Sequence, residues 1–208
     1  MNRRLAAGAA GTAGLVLLAS ACGTSTGYSK ATSSIAPAGT SAAPELPPFR
    51  VGPLTQKFGT PLPASAARQA VLADFRTAML YWTKSGYEWR NVPGTTSRVV
   101  GAALRQLERA EQSLRAQADV LGGTDEFFKT RITALTGSAA KLLTCDNSAR
   151  DVIEDRATGK VNSALTAPAS LDYIFETFRL VRHAGHWAIS SLVTATLPQA
   201  SARQCQPS

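Results

Sequence analysis

Three cysteines and two histidines, Cys22, Cys145, Cys205, His183 and His186, carry the most distinctive chemistry of the chain. A cysteine can be a nucleophile, a metal ligand, an acyl acceptor or half of a disulfide, and its surroundings separate these uses. Cys22 closes the run Leu18-Ala19-Ser20-Ala21-Cys22, behind Arg3, Arg4 and a short apolar stretch. Small side chains directly before a cysteine suit a signal peptidase, which makes Cys22 the candidate acyl acceptor. Cys145 and Cys205 remain, an even pair for an oxidising compartment, and they read as a disulfide. Such a bridge closes a loop of about 60 residues and stabilises by roughly 4 kcal/mol on the chain-entropy model. The other uses of this pair are weakly supported. For zinc only His183 and His186 are available beside the pair, and a nucleophilic cysteine needs a base that nothing nearby supplies. His183 and His186 flank Ala184-Gly185, a turn, where histidines are usually solvated.

The elements around Cys22 support that assignment. Arg3 and Arg4 make a positive n-region, and residues 5–21 are apolar or small, densest at Leu15-Val16-Leu17-Leu18. Charge, apolar region and small-residue cleavage site form a signal-peptide layout. Gly8, Gly11 and Gly14 make the stretch a poor permanent span, which needs about 20 predominantly apolar residues. The segment resembles a bacterial lipoprotein signal. Leu18 stands four residues before the cysteine, whereas the commonest lipobox has leucine three before, where this chain has Ala19. Acyl chains contribute about 0.8 kcal/mol per buried methylene, so two or three give stable anchoring. The expected address is the extracytoplasmic face of a cell membrane.

The chain has 208 residues and a formal charge of +8; removing residues 1–21 takes Arg3 and Arg4 and no acid, leaving +6. A basic envelope protein is drawn to anionic lipid or an acidic wall polymer, and a plainly solvated surface explains the same charge. Nucleic acid is not an expected partner: no basic run reaches five residues and no aromatics interleave a basic patch. No phosphate loop or metal cluster is evident, so no cofactor is expected.

Residues 23–50 are rich in Gly, Ser, Thr, Ala and Pro and poor in large apolar side chains, which predicts a disordered tether. Residues 51–63, with Pro53, Pro61 and Pro63, read as an extended lead-in. Ser65 is a candidate N-cap, and Ala67, Val71, Phe75, Ala78, Met79 and Trp82 make one helical face, stopped by Gly86. Residues 87–94 read as a loop. A second helix from Thr96 or Ser97 carries Val100, Ala103, Leu104, Leu107, Ala110, Leu114, Ala118 and Leu121 on one side. Arg105, Glu108, Arg109, Glu111 and Arg115 take the other, with Glu111 and Arg115 as an i,i+4 pair. Gly122-Gly123 is the expected stop. Thereafter the period is two: strands at 128–135, 140–154, 171–183 and 186–197, with turns at 136–138, 157–160 and 184–185. Helices first and an antiparallel meander after them define an α+β class. The organisation is signal 1–21, lipidated Cys22 with tether and lead-in 22–63, and a domain over 64–205.

That arrangement resembles the NTF2-like (SnoaL-like) cone fold of actinobacterial secreted proteins and lipoproteins. The resemblance is carried by Ala73-Asp74-Phe75-Arg76 through Trp82, by Leu143-Thr144-Cys145-Asp146-Asn147-Ser148, by Asp155-Arg156-Ala157-Thr158-Gly159-Lys160, and by Arg182-His183-Ala184-Gly185-His186-Trp187-Ala188-Ile189-Ser190. It implies a curved antiparallel sheet wrapped around helices, with a cone-shaped cavity. It does not imply one activity, since members include isomerases, dehydratases and binding modules. Ketosteroid-isomerase-like relatives use a carboxylate base and a tyrosine donor inside the cone. Here the available carboxylates are Asp74, Asp146, Asp172 and Glu176, and the donors Tyr81, Tyr87 and Tyr173; none matches the catalytic pattern residue by residue. Asp172 and Glu176, four apart, are expected on one strand face. Arg179 and Arg182 read as surface residues. Two functions stand from the sequence: a non-catalytic binding or interaction module, and a small-molecule isomerase or dehydratase.

Overall fold

Pro47-Pro48 and Pro53 bracket the first described strand, in a computed structural model that describes residues 44–162 and 172–206. The signal segment, Cys22 and the tether up to residue 43 lie outside the described residues. Strands β1 (Phe49–Val51) and β2 (Leu54–Gly59) pair antiparallel with Phe49 opposite Gln56 and Val51 opposite Leu54. Their turn needs Gly52: its φ is +56°, and a Cβ would lie 2.3 Å from the Tyr87 ring. Leu54, Gln56 and Phe58 are buried while Thr55 and Lys57 are not. The lead-in expected before the domain is thus part of its sheet.

Ser65 precedes helix α1 (Ala66–Glu88), whose buried face is Val71, Leu72, Phe75, Ala78, Met79, Trp82 and Ser85. The helix runs through Gly86, the expected stop. A helical glycine costs only about 1 kcal/mol against alanine, and Trp82 and Ser85 anchor the last turns in the core. Trp89 ends it in the left-handed conformation at φ 56°. The expected second helix is two: α2 (Thr95–Arg98) and α3 (Gly101–Ala116). Val99 between them is extended and fully buried, and the Val100 N–H donates to the Ile189 carbonyl at 2.8 Å.

The expected stop at Gly122-Gly123 is also displaced. α3 ends at Ala116, and Leu121, Gly122 and Gly123 belong to strand β3 (Asp119–Leu135). Gly123 sits at φ +88° and its missing Cβ would lie 1.9 Å from the Arg150 carbonyl oxygen. It therefore serves close backbone approach within the sheet, not a helix end. β4 (Ala139–Asp155), β5 (Tyr173–His183) and β6 (His186–Ala195) complete the sheet in the order β1-β2-β3-β4-β5-β6.

The class is α+β, with helices on one face of a curved, open six-stranded sheet. Neighbours are antiparallel except β2–β3, which is parallel. The exception follows from connectivity. The three described α-helices lie between β2 and β3, and a crossover of that length lets two strands run the same way. Three register shifts between β3 and β4, and one between β5 and β6, mark bulges that bend long strands.

The core fills the space between helices and sheet. Phe75 of α1 meets Phe178 of β5 at 4.8 Å between ring centroids and Phe127 of β3 at 5.7 Å. Phe58 of β2 meets Phe127 at 5.7 Å. Ala103 and Leu107 of α3 and Leu142, Leu180, Trp187 and Ile189 of the sheet surround this group. Tilted and edge-on aromatic pairs contribute about 0.5–1.5 kcal/mol each beyond area burial.

Candidate functional site

Strand alternation decides which acids can meet. In β4, Ala140 and Leu142 face the helices, so Thr144 and Asp146 face them too. In β5, Phe178 and Leu180 face the helices, and so do Ile174 and Glu176. Gln56 of β2 lies opposite Asp125 of β3, Asp146 lies opposite Phe127 and Ile174, and Glu176 lies opposite Thr144. Gln56, Asp125, Asp146 and Glu176 therefore occupy four successive strands on the helix-facing side. All four are at most 8% exposed. Gln56 Nε2 donates to Asp125 Oδ2 at 2.8 Å. The Thr144 hydroxyl is 2.7 Å from that of Thr130.

Sequence reasoning singled out Asp146 and Glu176 and missed Gln56 and Asp125. The available signal was period two in Leu54-Thr55-Gln56-Lys57-Phe58, which puts a polar amide between two core residues. Asp172 lies just before β5, and its carbonyl accepts the Ser148 N–H at 2.8 Å.

The tyrosines stand elsewhere. Tyr173 lies opposite Asn147, so it occupies the other face of β5 from Glu176, and its ring meets Phe128 at 6.3 Å. Tyr87 lies against Gly52 and stacks under the Arg156 guanidinium at 4.6 Å. Trp89 covers Arg156 at 4.7 Å and donates its indole N–H to the Asp119 carbonyl at 2.8 Å. Tyr81 packs against Gly94. Tyr173 and Glu176 therefore do not meet across β5.

Asp74 forms a clasp. Its Oδ1 accepts from Arg98 Nη1 at 2.7 Å, its Oδ2 accepts from the Trp187 N–H at 3.0 Å, and His186 Nδ1 is 3.9 Å away. One carboxylate thereby holds α1, α2 and the β5–β6 hairpin together. His183 is exposed. Arg182 stacks over Trp187 at 4.4 Å, and Arg179 is exposed.

Glu111 departs from its expected solvent-facing position. It is 5% exposed, and its Oε1 has no hydrogen-bond partner among the described residues. Burial, with a smaller contribution from Glu108, pushes its carboxyl up to about 7. The turn of α3 decides this: Glu111 continues the buried row Ala103, Leu107, Leu114.

Cys145 occupies the face of β4 away from the helices and is bonded to Cys205, with Cα atoms 5.3 Å apart. The bond seats the final 3-10 turn (Ala202–Cys205) on β4 and β5. Lys129 Nζ donates to the Gln204 carbonyl at 2.9 Å beside it.

Among the described residues, clefts on the exterior include two. One of about 440 Å³ lies where the β1–β2 turn meets the end of α1, lined by Gly52, Lys84, Tyr87, Glu88 and Arg90. The other, about 350 Å³, is lined by Lys57, Glu126, Asn147, Arg150 and Tyr173 on the face bearing Cys145. Among the described residues no group of three His, Cys, Asp or Glu is placed to hold a metal ion. No described helix is long and apolar enough to cross a membrane.

No protein-family model matches the chain, and no curated protein matches it. Solved structures do. Aln2 from a Streptomyces species is 15% identical over 65% of this chain and 93% of its own, with a TM-score of 0.43. A ketosteroid isomerase-like protein from Erwinia carotovora atroseptica is 15% identical over 62% and 97%, with a TM-score of 0.39. An NTF2-like protein with a cystatin-like fold from Novosphingobium aromaticivorans is 11% identical over 66% and 89%, with a TM-score of 0.38. Likeness at these identities transfers no activity or ligand. The curved sheet packed over helices is what the NTF2-like resemblance implies; the hairpin ahead of the helices and the parallel β2–β3 pair were not expected.

Proposed function

We propose that this chain is a membrane-tethered extracytoplasmic lipoprotein whose folded domain works as a binding module at its surface. The carrying observation is the filled interior: Phe58, Phe75, Phe127 and Phe178 occupy the space between α1 and the sheet, while both clefts open outward. A ligand site is normally concave and largely pre-formed, which favours those exterior clefts. The charge of +6 after loss of residues 1–21 favours a partner with anionic groups, an acidic wall polymer or anionic lipid. Cys22 is the proposed anchor, acylated after removal of residues 1–21. Mass analysis of the native protein should find a diacylglyceryl adduct on Cys22 and no residues 1–21. A mature protein starting elsewhere, free in the culture fluid, would exclude the anchor. For the domain, Lys84→Glu with Arg90→Glu and, separately, Lys57→Glu with Arg150→Glu are compared with wild type for retention on an anionic wall-polymer matrix. One double variant should lose retention and the other keep it; equal retention by all three would refute a cleft-borne surface.

The second reading is a small-molecule isomerase or dehydratase, and the buried row Asp125, Asp146, Glu176 is what favours it, since inward carboxylates are suited to proton transfer. Its test is turnover of enolisable cyclic ketones, lost in Asp146→Asn or Glu176→Gln while the fold persists.

A further inference from the structure

The two edges of the sheet are built differently. β1 is three residues long, carries Arg50 at its centre, and is flanked by Pro47, Pro48 and Pro53. Short strands, prolines and cations are devices that keep an edge from pairing with another chain. β6 has none of these. No charged residue occurs from Trp187 to Ala202, in a chain whose charged fraction is 17%. The first half of the β6 edge is already occupied by the Val99 bridge to Ile189 and by the Val100 N–H on the Ile189 carbonyl. Ser190 lies in the bulge opposite Arg179, its hydroxyl donating to the Arg179 carbonyl at 3.0 Å. Residues 191–195 pair with β5 on one side and, among the described residues, with no strand on the other. Val193 stands in this stretch, 64% exposed, the most exposed large apolar side chain described.

We propose that residues 191–195 are a self-association edge, where two copies pair β6 with β6 antiparallel across a two-fold axis and join their sheets into one. A second copy is the fitting occupant for two reasons. Under a two-fold axis a strand edge is its own complement. Two strongly basic molecules also meet most easily where no charge faces its like, and the uncharged run supplies that place. The nearest charges stand one strand back: Arg179 opposite Ser191, and buried Glu176 opposite Thr194. The two Val193 side chains become cross-strand neighbours, a pairing that β-branched residues favour. Five paired residues bury less than a standard interface, so the dimer is weak and concentration-dependent.

The test is sedimentation equilibrium of the purified protein over a roughly hundredfold concentration range. Wild type should pass from monomer to dimer. Val193→Lys and Val193→Glu, placed on an exposed side chain and checked for an unchanged melting curve, should each raise the dimer dissociation constant at least about tenfold through like-charge contact. An equal mixture of the two should restore association. A chain that stays monomeric throughout overturns the proposal, as does a dimer indifferent to both variants or a mixture no stronger than either alone. Capture of a foreign extended peptide by β6 in a chain that remains monomeric overturns it too.

Discussion

Glu111 shows how one side chain's setting changes the behaviour of the protein. Its carboxyl is ordinary in the unfolded chain and pushed up to about 7 in the fold, by burial first and by Glu108 second. The native state therefore binds the proton more tightly than the unfolded state. Stability contributed by protonated Glu111 is complete below about pH 4.5, declines as the pH rises, and is gone above about pH 7. The span of that decline is on the order of 1–3 kcal/mol. Glu111→Gln keeps the shape without the ionisation. Denaturant titrations from pH 4.5 to 8 should find the variant level with wild type at the acid end and more stable at the alkaline end. A variant parallel to wild type across that range would contradict the assignment. In the sequence Glu111 looks like the first half of a surface i,i+4 pair with Arg115. Its burial depends on how far α3 rotates about its axis, which only packing against the sheet decides.

At the scale of elements, two ties hold pieces that helical or strand propensity would leave loose. The Asp74 clasp joins α1, α2 and the β5–β6 hairpin through Arg98 and the Trp187 N–H. Asp74→Asn removes the charge and one of the two acceptors, so it should destabilise by about 1–3 kcal/mol. Arg98→Ala in that background should add less than it costs alone, because the two share one interaction. Full additivity in a double-mutant cycle would refute the clasp. The second tie is Cys145–Cys205, which spans 60 residues. Removing both cysteines together should lower stability by roughly 2–5 kcal/mol and expose the terminal 3-10 turn to protease. Free-thiol titration of the folded wild-type domain should find neither cysteine reactive. Elements with long uniform patterns were legible: α1, the strand carrying Cys145, and the hairpin at Ala184-Gly185 all read from periodicity and turn residues. Gly86 and Gly122-Gly123 misled, because a glycine marks freedom of the backbone and not its purpose. Gly123 serves the approach of the Arg150 carbonyl, a contact with a strand about thirty residues away that no local window contains.

At the scale of the molecule, the sheet and helices form one layer on another around the Phe75 group, and the two sheet edges divide the surface into a guarded side at β1 and an unguarded side at β6. The class could be read from the sequence because apolar period is local: 3.6 in α1 and α3, two past Gly123. The cysteine pair could be read because two cysteines remain beside Cys22 and few other uses suit them. The parallel pairing of β2 with β3, the split between α2 and α3 at Val99, and the inward row Gln56, Asp125, Asp146, Glu176 could not. Each joins residues far apart in the chain, and register between strands is set by three-dimensional packing and loop closure. The sheet sends Asp146 and Glu176 to one face and Tyr173 to the other, because side chains alternate at every step along a strand and one residue of register decides the side.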